Sequence, residues 1–491
     1  MVSGNIRRLV CGDNLTILEE MTDETVDLIY LDPPFNTKQK YNLSFKNLGF
    51  PSEQVEAFED IWTWDDKTRA LYDQLSTYDM IGGISLRNLI DLVNLLRGGA
   101  DYMSAYLVNM VARLALLHRV LKSDGSLYLH CDPTASHYLK LILDVVFGPQ
   151  NFRNEIIWCY TGPTNVKRWF PRKHDVILFY AKSERNNFYP VRIPYKALHS
   201  HNAGGTIWEP AGAVLDEETR QGYIARGKPV EDWWLEDRDD MTPVGRRKTE
   251  NLGYPTQKPI ALLERIIKAS TKENDVILDP FCGCGTALHA AERLNRQWIG
   301  IDLSLYAMGV IEQRLRQSFV DIGASIELVQ MPVDRTSAQS LAKRDPWEFE
   351  KWICGQLGAY GMYKRPGAKG QDGGIDGILR FYPDKNKEAF AIVQIKSGDH
   401  FSTESIKALE ITVQREPMVT AGIFVCFAKH RTRVERAAST ATFQDEIAYQ
   451  SWPVIQVYTV EALLVRKPIQ LPNLQPARRG WQTEKDQPVF I

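Results

Sequence analysis

The stretch Val276–Asp302, VILDPFCGCGTALHAAERLNRQWIGID, decides the fold. Val276–Leu278 is a short apolar run that reads as a buried strand, and Asp279–Gly285 is a tight, glycine-rich turn. Thr286–Leu294 reads as a helix, and Trp298–Ile301 as a second strand that ends at Asp302. Strand, glycine turn, helix, strand and terminal acid form one Rossmann-like unit. The glycines let backbone approach a ligand closely, and the helix N-terminus offers free N–H groups. Asp302 is placed to accept hydrogen bonds from ribose hydroxyls. The turn is not G-x-G-x-x-G and its Asp-Pro-Phe flank is unlike that fingerprint, so taken alone it leaves a plain tight turn open.

Outward from this unit the alternation continues. Val26–Leu31 is another buried strand, ending at Asp32-Pro33-Pro34-Phe35. Tyr106–Leu121, His137–Phe147 and Ile260–Ser270 have helical spacing, while Ser126–His130, Ile156–Tyr160 and Val176–Tyr180 read as strands. Ser183–Asn251 is polar, irregular and rich in Gly, Trp and Arg, and it interrupts the pattern. Alternating strands and helices predict a doubly wound α/β sheet. Residues 331–344 read as a polar linker. A second pattern begins at Pro346, with a helix to Leu357, a glycine-rich loop, and strands at Gly377–Phe381, Ala389–Lys396 and Gly422–Phe427.

The 491 residues suggest two to four domains, and 44% hydrophobic with 24% charged residues is ordinary globular composition. A net charge of −2 gives no global footprint for nucleic acid, so any phosphate-binding surface must be local. The local basic clusters are Arg7–Arg8, Lys38 with Lys40, Arg172–His174 and Arg246–Lys248. Seven scattered cysteines are not a disulfide framework, and Cys282 and Cys284 lack the second ligand pair of a zinc site. With no apolar signal core near Met1 and no membrane-length run, a cytoplasmic location is expected.

Asp32-Pro33-Pro34-Phe35 follows a buried strand and so lies at the carboxyl edge of the sheet, where ligands bind in such folds. Two prolines there could simply end the strand. The tetrapeptide also suits a definite chemistry. An amino group on an aromatic base is a poor nucleophile because its lone pair is delocalised. The Asp32 carboxylate and the Pro33 carbonyl can both accept hydrogen bonds from that amine and localise the pair. The prolines fix the carbonyl direction without a competing N–H, and Phe35 offers a flat face to a flipped base.

In combination these features resemble the beta class of site-specific DNA amino-methyltransferases, the adenine-N6/cytosine-N4 family. VDLIYLDPPFNT (Val26–Thr37) is similar to its catalytic motif, LDPFCGCGT (Leu278–Thr286) to its cofactor motif, and YPTQKP (Tyr254–Pro259) to the motif that precedes the cofactor turn. Gly12-Asp13 resembles the acid that contacts the cofactor adenine, and Leu127–Trp158 is similar to adenine-specific members. The resemblance covers about residues 5–320 of the 1–330 domain. It implies a circularly permuted, Rossmann-like S-adenosyl-L-methionine-dependent fold with target recognition at about 183–251. It also implies Asp32, Pro33, Pro34 and Phe35 as catalytic residues, and cofactor binding by Asp13, Lys258, Asp279, Phe281, Gly283, Gly285, Thr286 and Asp302. Asp rather than Ser at position 32 favours adenine, with cytosine-N4 as the alternative.

Residues 345–465 form a smaller C-terminal unit, followed by a tail at 466–491. Asp376 beyond a glycine pair, with Gln394-Ile395-Lys396 on a later strand, is similar to the Mrr-like branch of the PD-(D/E)xK restriction endonucleases. Glu350 resembles that branch's additional acid. Alternation places Gln394 and Lys396 on one strand face and Val393 and Ile395 on the other. The resemblance implies magnesium at Asp376 and Gln394, with Lys396 activating water; Gln394 in place of an acid removes a negative charge from that site. Without that chemistry the unit would be a DNA-binding module. The chain has no G-x-x-x-x-G-K-[ST], so an ATP-driven translocase would be a separate subunit. Double-stranded DNA is the expected partner, and a homodimer is the expected assembly. A dinucleotide-dependent oxidoreductase would account for the glycine turn and Asp302 but not for Asp32–Phe35 or Tyr254–Pro259.

Overall fold

A computed structural model describes residues 5–34, 40–44, 54–59, 62–78, 85–162, 166–193, 218, 225–235, 241–244, 257–320, 322–361, 375–384, 389–398, 404–416, 419–445 and 449–472. The larger unit is a nine-stranded sheet. From one edge to the other its strands are Trp233–Leu235, Phe152–Cys159, His174–Ala181, Leu121–Cys131, Val26–Leu31, Val276–Asp279, Gln297–Asp302, Arg7–Cys11 and Glu327–Val329. All pairings are parallel except those of His174–Ala181, which runs against both neighbours. Helices Tyr102–Val120, Ser136–Phe147, Ile260–Ser270, Thr286–Arg293 and Leu305–Ser318 belong to the same unit.

Val26–Leu31 is buried at every position, as an apolar run between two parallel neighbours should be. Its one acid, Asp27, is held by Lys122 Nζ at 2.8 Å and by the Val276 amide at 2.8 Å. Leu28 pairs with Ile277 and Ile29 with Leu278, so the strand ending at Asp32 lies directly beside the strand that enters the glycine turn. Strand Arg7–Cys11, next to the edge strand Glu327–Val329, is an addition to the sequence reading. Its two arginines pair with Glu292 and Glu327, which makes that basic cluster structural.

The C-terminal unit is a five-stranded sheet in the order Tyr360–Gly361, Gly377–Phe381, Ala389–Ile395, Val419–Cys426 and Ile455–Thr459. Helix Glu404–Arg415 buries Ile406, Leu409 and Val413 against Ile378, Ile392 and Phe424 on one face. Helix Pro346–Leu357 buries Phe349, Trp352 and Ile353 with Leu379, Val393 and Ile395 on the other.

Residues 331–344 are not an extended linker. Arg335–Arg344 is a helix with an Asp334/Ser337 capping box, and it buries Ala338, Leu341 and Ala342. The Ser, Lys and Arg that suggest a connector line its outer face. One apolar cluster runs from Leu28, Ile277 and Trp298 of the large sheet to Phe349 and Trp352 of helix Pro346–Leu357 and Val393 of the small sheet. Helices Leu305–Ser318 and Pro346–Leu357 touch backbone to backbone. A Cβ on Gly309 would lie 2.5 Å from the Gly355 carbonyl carbon. Buried Glu312 joins the two units beside that contact, accepting from Gln356 at 3.0 Å and pairing with Arg316 and Arg466. Burial opposes its charge, but those partners hold its carboxyl below the ordinary range. Among the described residues, no helix is long and apolar enough to cross a membrane.

Candidate active site

Three chain turns converge at the carboxyl edge of the large sheet. Cys11 pairs with Asp302, and the Gly12 amide donates to the Asp302 carbonyl at 2.9 Å, which sets Gly12-Asp13 beside the glycine turn. Within that turn Gly283 and Gly285 have φ of 49° and 72°, a left-handed backbone that favours glycine. The Asp302 carboxylate accepts from Gly283 N at 2.9 Å and from Ser304 N at 2.9 Å, so this acid first braces the turn. Burial pushes its pKa up to about 6. Phe281 is half-buried, and its amide donates to Asp279 at 3.1 Å. Asp13 caps helix Asn14–Glu20 and pairs with Arg113 at 3.0 Å.

Thr286 is turned inward. Its hydroxyl lies 3.6 Å from Cys284 Sγ and accepts from buried Arg314 at 3.3 Å. Arg314 also donates to the Cys284 carbonyl at 3.0 Å. The side chain of Thr286 therefore supports the turn, and a contact with cofactor would fall to its backbone. Asn14, which donates to the Pro280 carbonyl at 2.7 Å, and Arg113, which donates to Asn14 Oδ1 at 2.6 Å, are further braces that motif reading passes over.

Asp32 emerges beside this turn, with Pro33 buried and Pro34 half-buried; Phe35 and Tyr254–Thr256 lie outside the described residues. Lys258 forms an ion pair with Asp32, their side chains only 8% and 16% exposed. The expectation that Lys258 serves the cofactor is thus modified: its ammonium is directed at the acid of the tetrapeptide. Asp279 is buried in the same cluster. Burial, then the charges of Asp32 and Asp302, raise its pKa well above the ordinary carboxylate range, against the Phe281 amide and Lys258.

A hydrogen-bonded chain beside Asp32 crosses three strands and ends at Tyr160, the residue that follows a fourth. Tyr30 Oη meets His130 Nδ1 at 3.0 Å, His130 Nε2 meets Asp175 at 3.2 Å, and Tyr160 Oη donates to the other Asp175 oxygen at 3.0 Å. Burial raises the Asp175 pKa, but His130, Lys258 and Tyr160 outweigh it and hold the carboxyl below its ordinary value. The only sequence signal for this network is a polar His-Cys-Asp that closes the apolar strand Leu121–Cys131.

In the C-terminal unit Gly377 pairs with Val393, so Asp376 stands across from Gln394, on the face that also carries Lys396. The Ile395 amide donates to Asp376 at 2.6 Å. Val393 and Ile395 point into the core as alternation requires. Gln394 is buried as well, at 3% exposure, and among the described residues its Oε1 has no hydrogen-bond partner. Half-buried Glu350 sits on the helix covering the opposite face. No group of three His, Cys, Asp or Glu suited to a metal occurs among the described residues. Two oxygen donors with one carboxylate fit a weakly held hard cation rather than a tight site.

A sheet whose central strands deliver a glycine turn and an Asp-Pro-Pro corner to one edge defines a Rossmann-like transferase. The family model for DNA methylase of the N6/N4 type matches residues 26–313, more than half of the sequence, and the chain belongs to that family. A restriction endonuclease family model matches residues 341–444. The type II methyltransferase M.EcaI of Enterobacter cloacae is 30% identical over 263 residues, covering 43% of this chain and 57% of that protein. M.HpaI of Haemophilus parainfluenzae is 26% identical over 316 residues, covering 64% and 75%. The solved PvuII DNA methyltransferase, cytosine-N4-specific, is 12% identical with a TM-score of 0.37, covering 67% of this chain and 98% of its own.

Proposed function

We propose that this chain transfers a methyl group from S-adenosylmethionine to the N6 amine of adenine in double-stranded DNA, and that its C-terminal unit is a magnesium-dependent nuclease paired with that modification. One observation carries the first half: the register that places Asp32 and Asp279 at the ends of neighbouring parallel strands, with Lys258 between their charges. The glycine turn offers backbone to the cofactor, and Asp302 and Asp13 offer carboxylates to its ribose and adenine. S-adenosylmethionine supplies an electrophilic methyl group. Asp32 and the Pro33 carbonyl accept hydrogen bonds from the target amine and draw its lone pair out of the ring. Lys258 holds Asp32 in place until the amine arrives. The N–C bond would form as the methyl–sulfur bond breaks, leaving S-adenosylhomocysteine, and the proton released by the amine would pass through Asp32 towards solvent. Asp at the first position of the tetrapeptide supports adenine over cytosine.

Support for the nuclease comes from Asp376, Gln394 and Lys396 sharing one face, and from the unpartnered Gln394 Oε1 as a cation ligand. Lys396 would orient the attacking water. Seven free cysteines suit a reducing cytoplasm. The test of the base is direct: DNA methylated by the purified chain is digested to nucleosides and analysed by mass spectrometry. N6-methyladenine is expected, and predominant N4-methylcytosine would overturn adenine while keeping the amine chemistry.

A further inference from the structure

The hairpin between strands Phe152–Cys159 and His174–Ala181 stands out from the rest of the surface. Residues 166–173 read VKRWFPRK, with four cations and no acid. Val166 through Arg172 are all exposed, and at the centre Trp169 is 66% and Phe170 94% exposed. Lys167, Arg168 and Arg172 pair with no carboxylate among the described residues. Two adjacent large aromatics left in water forgo the stabilisation that burial would give them. The chain as a whole has a net charge of −2, so this basic hairpin is a local feature.

Placement supplies the second half of the argument. Phe152–Cys159 runs in the same direction as Val26–Leu31, because His174–Ala181 opposes both it and Leu121–Cys131, and Leu121–Cys131 is parallel to Val26–Leu31. The hairpin therefore leaves the sheet at the edge where Asp32 emerges. Its root is tied there: Tyr160 and Asp175 pass hydrogen bonds to His130 and on to Tyr30, two residues before Asp32. An aromatic pair flanked by cations, on a hairpin that leaves the sheet at the same edge as the amine-activating acid, fits a charged polymer that also exposes flat rings.

We propose that this hairpin docks on double-stranded DNA beside the target base. Lys167, Arg168 and Arg172 contact phosphates, and Trp169 and Phe170 stack on the bases uncovered when the target is flipped. The inference rests on the methyltransferase reading, and its test separates the two. Full-length wild type, Trp169→Ala/Phe170→Ala and Lys167→Gln/Arg168→Gln are assayed for methyl incorporation into unmethylated bacteriophage duplex DNA, for S-adenosylmethionine binding by calorimetry, and for mass in solution by light scattering. The aromatic variant should lose about thirtyfold or more in kcat/KM for DNA, as expected for two lost stacking faces, with cofactor affinity unchanged. The charge variant should bind DNA more weakly with a salt slope shallower by about 2. Wild type that neither binds the cofactor nor methylates DNA would overturn the methyltransferase reading and this inference with it. Active wild type with an aromatic variant of equal kcat/KM would overturn the hairpin alone. An aromatic variant that changes the mass in solution but not the affinity for DNA would make the hairpin a self-association surface and overturn the assignment to DNA.

Discussion

Replacing Asp32 by alanine should damage this protein in two separable ways. Asp32 and Lys258 form an ion pair that is 84% or more withdrawn from solvent on each side, from exposures of 16% and 8%. Removing one member of a buried pair leaves the other charge without its compensation, a cost of about 3 kcal/mol. Asp175 and Asp279 act on Lys258 at longer range and offset part of it. At roughly 2 °C per kcal/mol for a domain of this size, Asp32→Ala should lower Tm by about 5 °C. Lys258→Met should cost a similar amount, because it strands Asp32 near Asp279 and Asp302. The double variant Asp32→Ala/Lys258→Met removes both charges and should recover most of the loss. Turnover behaves differently: Asp32→Ala and the double variant should both lose about a hundredfold or more, the value of one hydrogen bond made chiefly in the transition state. Differential scanning calorimetry and single-turnover methylation with saturating cofactor complete the cycle. Additive thermal losses in the double variant would refute the pairing, and wild-type turnover in Asp32→Ala would refute the catalytic role.

Cofactor affinity should rise as pH increases through about 6, the value to which burial pushes the Asp302 carboxyl, because the ionised form is the better acceptor for ribose hydroxyls; calorimetric titrations across that range should show the rise in wild type and a flat profile in Asp302→Asn. A raised acid pKa means that the folded chain binds this proton more tightly than the unfolded chain, so the stability due to Asp302 is present at low pH and lost as pH rises from about 4 to about 6. In the cofactor-free protein, Tm of Asp302→Asn should fall less than that of wild type over that window. Asp376→Asn and Lys396→Ala should abolish magnesium-dependent cleavage of unmethylated DNA while methylation and Tm persist; a large fall in Tm without any magnesium effect in wild type would make the cluster merely structural. Gly309→Ala drives a methyl group to within 2.5 Å of Gly355 and should cost about 1–3 kcal/mol, lowering Tm of both units together in a single calorimetric transition.

Much of the large sheet was legible because its central strands are short, continuous apolar runs closed by sharp punctuation. Val26–Leu31 ends at two prolines and Val276–Asp279 at a glycine turn, and the structure places both as read. Strand Arg7–Cys11 escaped because its first two residues are arginines, which leaves only three buried apolar positions to signal it. The helix Arg335–Arg344 escaped because its buried face consists of two alanines and one leucine among polar residues. At the site, motifs located the acids but not their loyalties. Thr286 belongs to Arg314, Lys258 to Asp32 and Asp302 partly to Gly283, and each pairing spans a separation in sequence that no local pattern encodes. The Tyr30–His130–Asp175–Tyr160 chain was hidden for the same reason, since its members lie on three different strands and just past a fourth.

The glycine contact between Gly309 and Gly355 bears on what can be cut away from this protein. Met308, Ile311 and Leu315 share one apolar cluster with Phe349, Trp352 and Leu357. A fragment ending near residue 330 would carry a naked hydrophobic stripe along helix Leu305–Ser318, and the complementary fragment would carry its mirror. Each would be prone to clump, and neither would report faithfully on the activity of its half. On the proposed reading the same seam would tie modification to cleavage: a lesion that melts the large sheet is expected to take the small sheet down with it, so the proposed nuclease would not outlive the proposed modification.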